Sequence, residues 1–124
     1  LYGFCMQDTY FKTWQDGNVE AREQLRALLA AAPRLAGLKS HVYSSNADIE
    51  ASVRANDTGG FLFVINHESQ NASTKIELAD IGFPITSITD VDSGQPVDVT
   101  TENGIISLDT NVYLGETKIL KLSR

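Results

Sequence analysis

At 124 residues with 42% hydrophobic content, the chain has room and apolar material for one ordinary core and little more. Ten Lys and Arg against 16 Asp and Glu leave a formal charge of -6, which argues against a nucleic-acid or anionic-membrane surface, because both need clustered positive charge. A single cysteine, Cys5, excludes an internal disulfide, and no apolar run approaches the roughly 18 residues of a membrane span.

The chain starts at Leu1 within what reads as ordinary sequence, and is expected to be an excised piece of a longer protein. Residues 1–15 hold Tyr2, Phe4, Tyr10, Phe11 and Trp14 without a clean period. Aromatic faces commonly wall carbohydrate sites, so Trp14 is a candidate sugar contact; packing against a neighbouring domain is the plainer use of such a cluster. Asp16-Gly17-Asn18 punctuates the chain. Asn18 is placed to cap a helix running to about Ala32, with Ala21, Leu25, Leu28, Leu29 and Ala32 on one face and Pro33 as its stop.

From Leu38 onward the apolar period changes from 3.6 to 2. The spacing predicts strands at 39–43, 49–55, 60–65, 73–78, 85–90, 96–100, 105–108 and 117–122. Intervals of about 8 to 12 residues with turn signals between them describe an antiparallel sandwich or barrel. The breaks have turn chemistry: Gly59-Gly60 reads as a turn, Asp92-Ser93-Gly94 as a tight hairpin, and Asn103-Gly104 as the strongest two-residue hairpin signal. The fold class expected is an Ig-like or Greek-key β-sandwich of seven or eight strands, preceded by one amphipathic α-helix. Residues 1–36 form the lead-in and residues 37–124 the sandwich. The run Phe61-Leu62-Phe63-Val64-Ile65, the longest stretch of large apolar side chains in the strand region, predicts a central strand buried on both faces.

Residues able to carry chemistry are scattered. His67 closes the central run, but His41 belongs to another strand and no cysteine or carboxylate cluster has metal-ligand spacing. Asp90 and Asp92 lack the opposed environments of an acid–base pair and the remaining ligands of a calcium loop, so they read as hairpin residues. No nucleophile elbow and no glycine-rich phosphate loop is present, and no cofactor is implied. The residues alone describe a non-catalytic β domain. Besides Trp14, the tyrosines Tyr43 and Tyr113 are the aromatics free to contact a sugar or a neighbouring domain, because Phe61 and Phe63 fall in the buried run.

The segment from Leu35 to Leu122 resembles the C-terminal β-sandwich domain of bacterial β-galactosidase-like glycoside hydrolases of families 35 and 42. The resemblance lies in Ala36-Gly37-Leu38, "IEASVR" from Ile49, "GFLFVINHES" from Gly60, "ITDVDSGQPV" from Ile88 and "GETKILKL" from Gly115. It covers about seven-tenths of the chain, a share that suits one domain. The resemblance implies that catalysis, by two glutamates on an α/β barrel, belongs to a part of the enzyme outside these residues, and no catalytic residue carries over. It implies that residues 1–36 are the tail of the preceding domain and that the sandwich packs on and stabilises the catalytic portion. The partners implied are the preceding domains of the parent hydrolase, with carbohydrate as a further candidate. A carbohydrate-binding module and a free-standing Ig-like interaction domain are the alternatives, and the compartment is open between cytoplasm and export.

Overall fold

In a computed structural model that describes residues 6–38 and 40–124, the chain divides into two compact units, Leu1–Lys39 and Ser40–Arg124. Tyr2, Phe4, Cys5 and Lys39 lie outside the described residues.

The first unit holds two helices, α1 (Met6–Gln15) and α2 (Val19–Leu35), where the sequence reading expected one. The missed helix is the aromatic segment. Tyr10, Phe11 and Trp14 fall at helical i, i+1, i+4 positions, but aromatic side chains are mediocre helix formers and hide the pattern. Phe11 and Trp14 lie one turn apart with stacked rings, centroids 6.4 Å apart and planes 19° from parallel. The helix closes through Gly17 at φ 64°. Asn18 N–H reaches back to the Thr13 carbonyl and Gly17 N–H to that of Trp14, the paired bonds of a glycine-terminated helix. Asn18 also starts α2, its Oδ1 accepting from Ala21 N–H at 3.0 Å, as the cap expected of it. Pro33 does not stop this helix. It lacks an N–H and forgoes one bond, yet α2 continues to Leu35 and ends where Leu38 N–H meets the Pro33 carbonyl, with Gly37 at φ 72°.

The second unit is an eight-stranded antiparallel sandwich: β1 (Val42–Ser44), β2 (Ile49–Asn56), β3 (Gly59–Asn66), β4 (Ala72–Leu78), β5 (Ser87–Asp90), β6 (Thr100–Glu102), β7 (Ile105–Val112) and β8 (Thr117–Ser123). One sheet has the order β1-β4-β7-β6 and the other β2-β3-β8-β5. Between them lie Ile49, Leu62, Val64, Ile76, Leu78, Ile88, Leu108, Val112, Leu120 and Leu122, all almost fully buried. The predicted strand at 96–100 is reduced to a single bridge between Thr89 and Pro96, since proline cannot donate to a ladder. The chain then crosses to the other sheet and pairs as β6. There Asn103 and Gly104, at φ 50° and 80°, make the hairpin to β7.

Two readings of the central run need correction. Gly59 and Gly60 open β3 instead of forming its turn, which is Asp57-Thr58. Gly60 is required by close packing, because a Cβ there would sit 2.8 Å from both the Ala55 Cβ and the Arg54 carbonyl oxygen. The strand is central in its sheet but fully buried on one face only. Leu62, Val64 and Asn66 point inward, Phe63 and Ile65 are half-buried, and Phe61 is 42% exposed. Leu62→Ala is therefore expected to lower unfolding free energy by about 2–5 kcal/mol and Phe61→Ala by about 1 kcal/mol or less, measured by chemical denaturation. Equal losses would restore burial on both faces.

Candidate functional site

A concavity of about 690 Å3 opens between the two sheets. One wall comes from β4 and β7 through Ser73, Lys75, Asp109 and Asn111; the other comes from β5, β8 and the hairpin after β5. At its base are two charges placed by strand alternation. Ile88 and Asp90 of β5 pair with Leu122 and Leu120 of β8, so Asp90 follows the buried Ile88 on the inward side. Lys118 precedes the buried Leu120 on the same side. They are diagonal neighbours across the two strands, with side chains 18% and 20% exposed and Nζ 4.0 Å from Oδ2.

Each charge has further partners. Lys118 Nζ donates to the Asn111 carbonyl at 3.0 Å and to Thr110 Oγ1 at 3.4 Å, linking β8 to β7 in the opposite sheet. Asp90 Oδ1 accepts from the backbone N–H groups of Asp92 and Ser93, at 3.0 and 2.9 Å. The Ser93 amide holds the Asp90 carboxyl below the usual carboxylate range; burial opposes this, and the Ser93 hydroxyl, Lys118 and the Asp92 amide add to it. The expected hairpin is present: Gly94 N–H donates to the Asp90 carbonyl, and Gly94 sits at φ 68°.

The three aromatic candidates are not brought together. Trp14 is half-exposed on α1 beside Phe11. Tyr43 is exposed on β1, opposite Glu77 of β4. Tyr113 is exposed on the rim of the groove, and its neighbour Val112 lies opposite Ala72 of β4. The two tyrosines are thus separated by about six residues along β4, about 20 Å at the rise of a strand. The Tyr113 loop is tied down by its own N–H to Glu116 Oε2 at 2.6 Å and by Leu114 N–H to Asn71 Oδ1 at 2.9 Å. His67 meets Glu50 at 3.0 Å, both more than half exposed, and His41 Nδ1 lies 3.2 Å from the Ala79 carbonyl. Among the described residues no group of three or more His, Cys, Asp or Glu gathers as a metal site. Sequence reasoning passed over Lys118, whose signal was a lysine in register with Leu120 and Leu122.

No family model matches the chain, and no curated protein matches it. Among solved structures it is similar to a catalytic mutant of Gan42B, a GH42 β-galactosidase from G. stearothermophilus, at 10% identity and TM-score 0.53, and to Gan42B itself at 10% identity and TM-score 0.52. Each match covers 83% of this chain and 13% of the hydrolase. The likeness is one of fold. It agrees with the family 42 side of the sequence resemblance and bears neither on family 35 nor on where in a parent protein the domain sits.

The depressed Asp90 carboxyl contributes stability that is present above the unfolded-state value, near pH 4, and is lost as pH falls through the lower folded value. Thermal melts between pH 7 and pH 2 should show a shallower acid decline for Asp90→Asn than for the native chain. Parallel declines would show that the carboxylate is not held ionised by its turn.

Proposed function

We propose that this chain is a non-catalytic accessory β-sandwich with a helical lead-in, at the C-terminal end of a β-galactosidase-like glycoside hydrolase. There it packs on the catalytic portion and stabilises it. The observation that carries this reading is the match of 83% of the chain to only 13% of a GH42 β-galactosidase, the relation of one domain to a multidomain enzyme.

Two physical features support it. Glycoside hydrolysis needs two carboxyl groups flanking the scissile bond, one of them kept protonated by its surroundings. Of the two carboxylates lining the groove, Asp90 and Asp109, Asp90 is shifted the opposite way and has one oxygen committed to turn amides. In the helical unit, Phe11, Trp14, Leu28, Leu29 and Leu35 are exposed, Leu35 at 89%. Large apolar side chains gathered on so short a helical pair suit an interdomain surface, here that of the preceding domain. The rival reading, a carbohydrate-binding module built on a shared aromatic platform, has less support because Tyr43 and Tyr113 are far apart along β4.

The test compares the parent hydrolase with and without this segment. Truncation is expected to lower the melting temperature by several degrees while kcat and KM of the folded enzyme stay within about twofold. An unchanged melting temperature with a raised KM would overturn the stabilising role in favour of sugar binding.

A further inference from the structure

A second groove, about 590 Å3, is basic, whereas the first carries Asp90 and Asp109 balanced by Lys75 and Lys118. The second is lined by Arg54, Lys121 and Arg124, three of only ten basic residues in a chain of formal charge -6, and no Asp or Glu side chain lines it among the described residues. Strand register makes the arrangement specific. Arg54 of β2 pairs with Phe61 of β3, and Phe61 pairs with Lys121 of β8, so one row across the sheet reads cation, ring, cation. With strands about 4.8 Å apart, the two charges start within about 10 Å of each other, close enough for one anion to lie between them.

None of the three cations forms an ion pair among the described residues. Arg54 Nη1 reaches only the Val53 carbonyl, at 3.4 Å, and Arg124 Nη1 the carbonyl of Asp57, at 3.0 Å. Guanidinium groups so lightly engaged keep donors for an oxyanion, which arginine takes through two parallel bonds. Between them Phe61 is 42% exposed, on an outer face where the strand pattern alone would expect burial. Thr58 and Ser123 add hydroxyls to the groove wall. Thr58 Oγ1 donates to Asn56 Oδ1 at 2.8 Å, which leaves it as an acceptor for a ligand hydroxyl.

We propose that this groove binds an acidic saccharide, a pyranose bearing a carboxylate or a sulfate, with the anion between Arg54, Lys121 and Arg124 and the apolar ring face against Phe61. The saccharide part of the assignment rests on the hydrolase reading; the anionic part stands on the unpaired cations. Stacking on one ring together with charge-assisted hydrogen bonds gives a modest affinity that falls with salt.

The chain is titrated by calorimetry with a galacturonate oligosaccharide, a sulfated galactose oligosaccharide, an uncharged galactose oligosaccharide of the same length, and inorganic sulfate. At least one acidic sugar is expected to bind about tenfold or more tighter than both the uncharged sugar and inorganic sulfate, and which of the two binds identifies the anion. Added sodium chloride should weaken it. Arg54→Gln with Lys121→Gln should reduce that affinity about tenfold without changing the melting temperature, and Phe61→Leu should abolish the preference over inorganic sulfate. Failure of both acidic sugars to bind, equal binding of the uncharged sugar, equal binding of inorganic sulfate, or an unaffected double variant would each overturn the site. Acidic-sugar binding in a chain whose removal leaves the parent's melting temperature unchanged would sink the stabilising role alone.

Discussion

Successive residues of a strand point to opposite sides of its sheet, and in β3 this sends Leu62, Val64 and Asn66 into the core and Phe61, Phe63 and Ile65 to the outer surface. Leu62 and Val64 join Leu120 and Leu122 from β8 and the side chains of the facing sheet in one core. Asn66 closes the end of that row. Its Nδ2 donates to the carbonyls of Val112 and Gln70, each at 2.9 Å, and to that of Tyr113 at 3.2 Å, while its Oδ1 accepts from Glu68 N–H at 2.7 Å. A buried amide left unpaired would cost about 1–3 kcal/mol. Here it ties the end of one sheet to the end of the other, and the Tyr113 loop on the groove rim hangs from that tie.

The two pairs of strand-borne charges show what alternation does when a strand runs past its core. At the ends of β5 and β8 it turns Asp90 and Lys118 inward, where each finds backbone partners and the two lie 4.0 Å apart. Across β2 and β8 it turns Arg54 and Lys121 outward on either side of Phe61, where neither forms an ion pair among the described residues. The first pair explains why the larger groove is a structural seam. The second is an unsatisfied arrangement, and unsatisfied charge is the feature from which a ligand can be inferred.

Seven of the eight strands were legible in the sequence, because β-branched and aromatic runs between Gly, Asn and Asp turns leave little choice of period. The eighth was misplaced by about four residues. Pro96 bridges to Thr89, and Val97 N–H donates to the Ile88 carbonyl, but ladder pairing resumes only at Thr100, in the other sheet. Helix α1 was missed because its aromatics mask helical spacing, and α2 overran Pro33 because the helix has its closing glycine at Gly37. The functional surface was less legible. A run of large apolar residues suggests burial on both faces when read alone; only the neighbours, Arg54 and Lys121, reveal that one face is open, and their register depends on pairing that lies 60 residues apart in the case of Phe61 and Lys121. Lys118 was readable from its place beside Leu120 and Leu122, since a lysine on the core-facing side of a strand needs partners there.

The helical unit presents Phe11, Trp14, Leu28, Leu29 and Leu35 to solvent, and the central claim is that another domain of a larger enzyme covers them. Hydrogen exchange followed by mass spectrometry, on the isolated chain and on the proposed parent protein, addresses this directly. If the helices form an interdomain surface, the amides of α1 and α2 will exchange markedly more slowly in the parent protein. Equal exchange of both helices in the two proteins would contradict the claim.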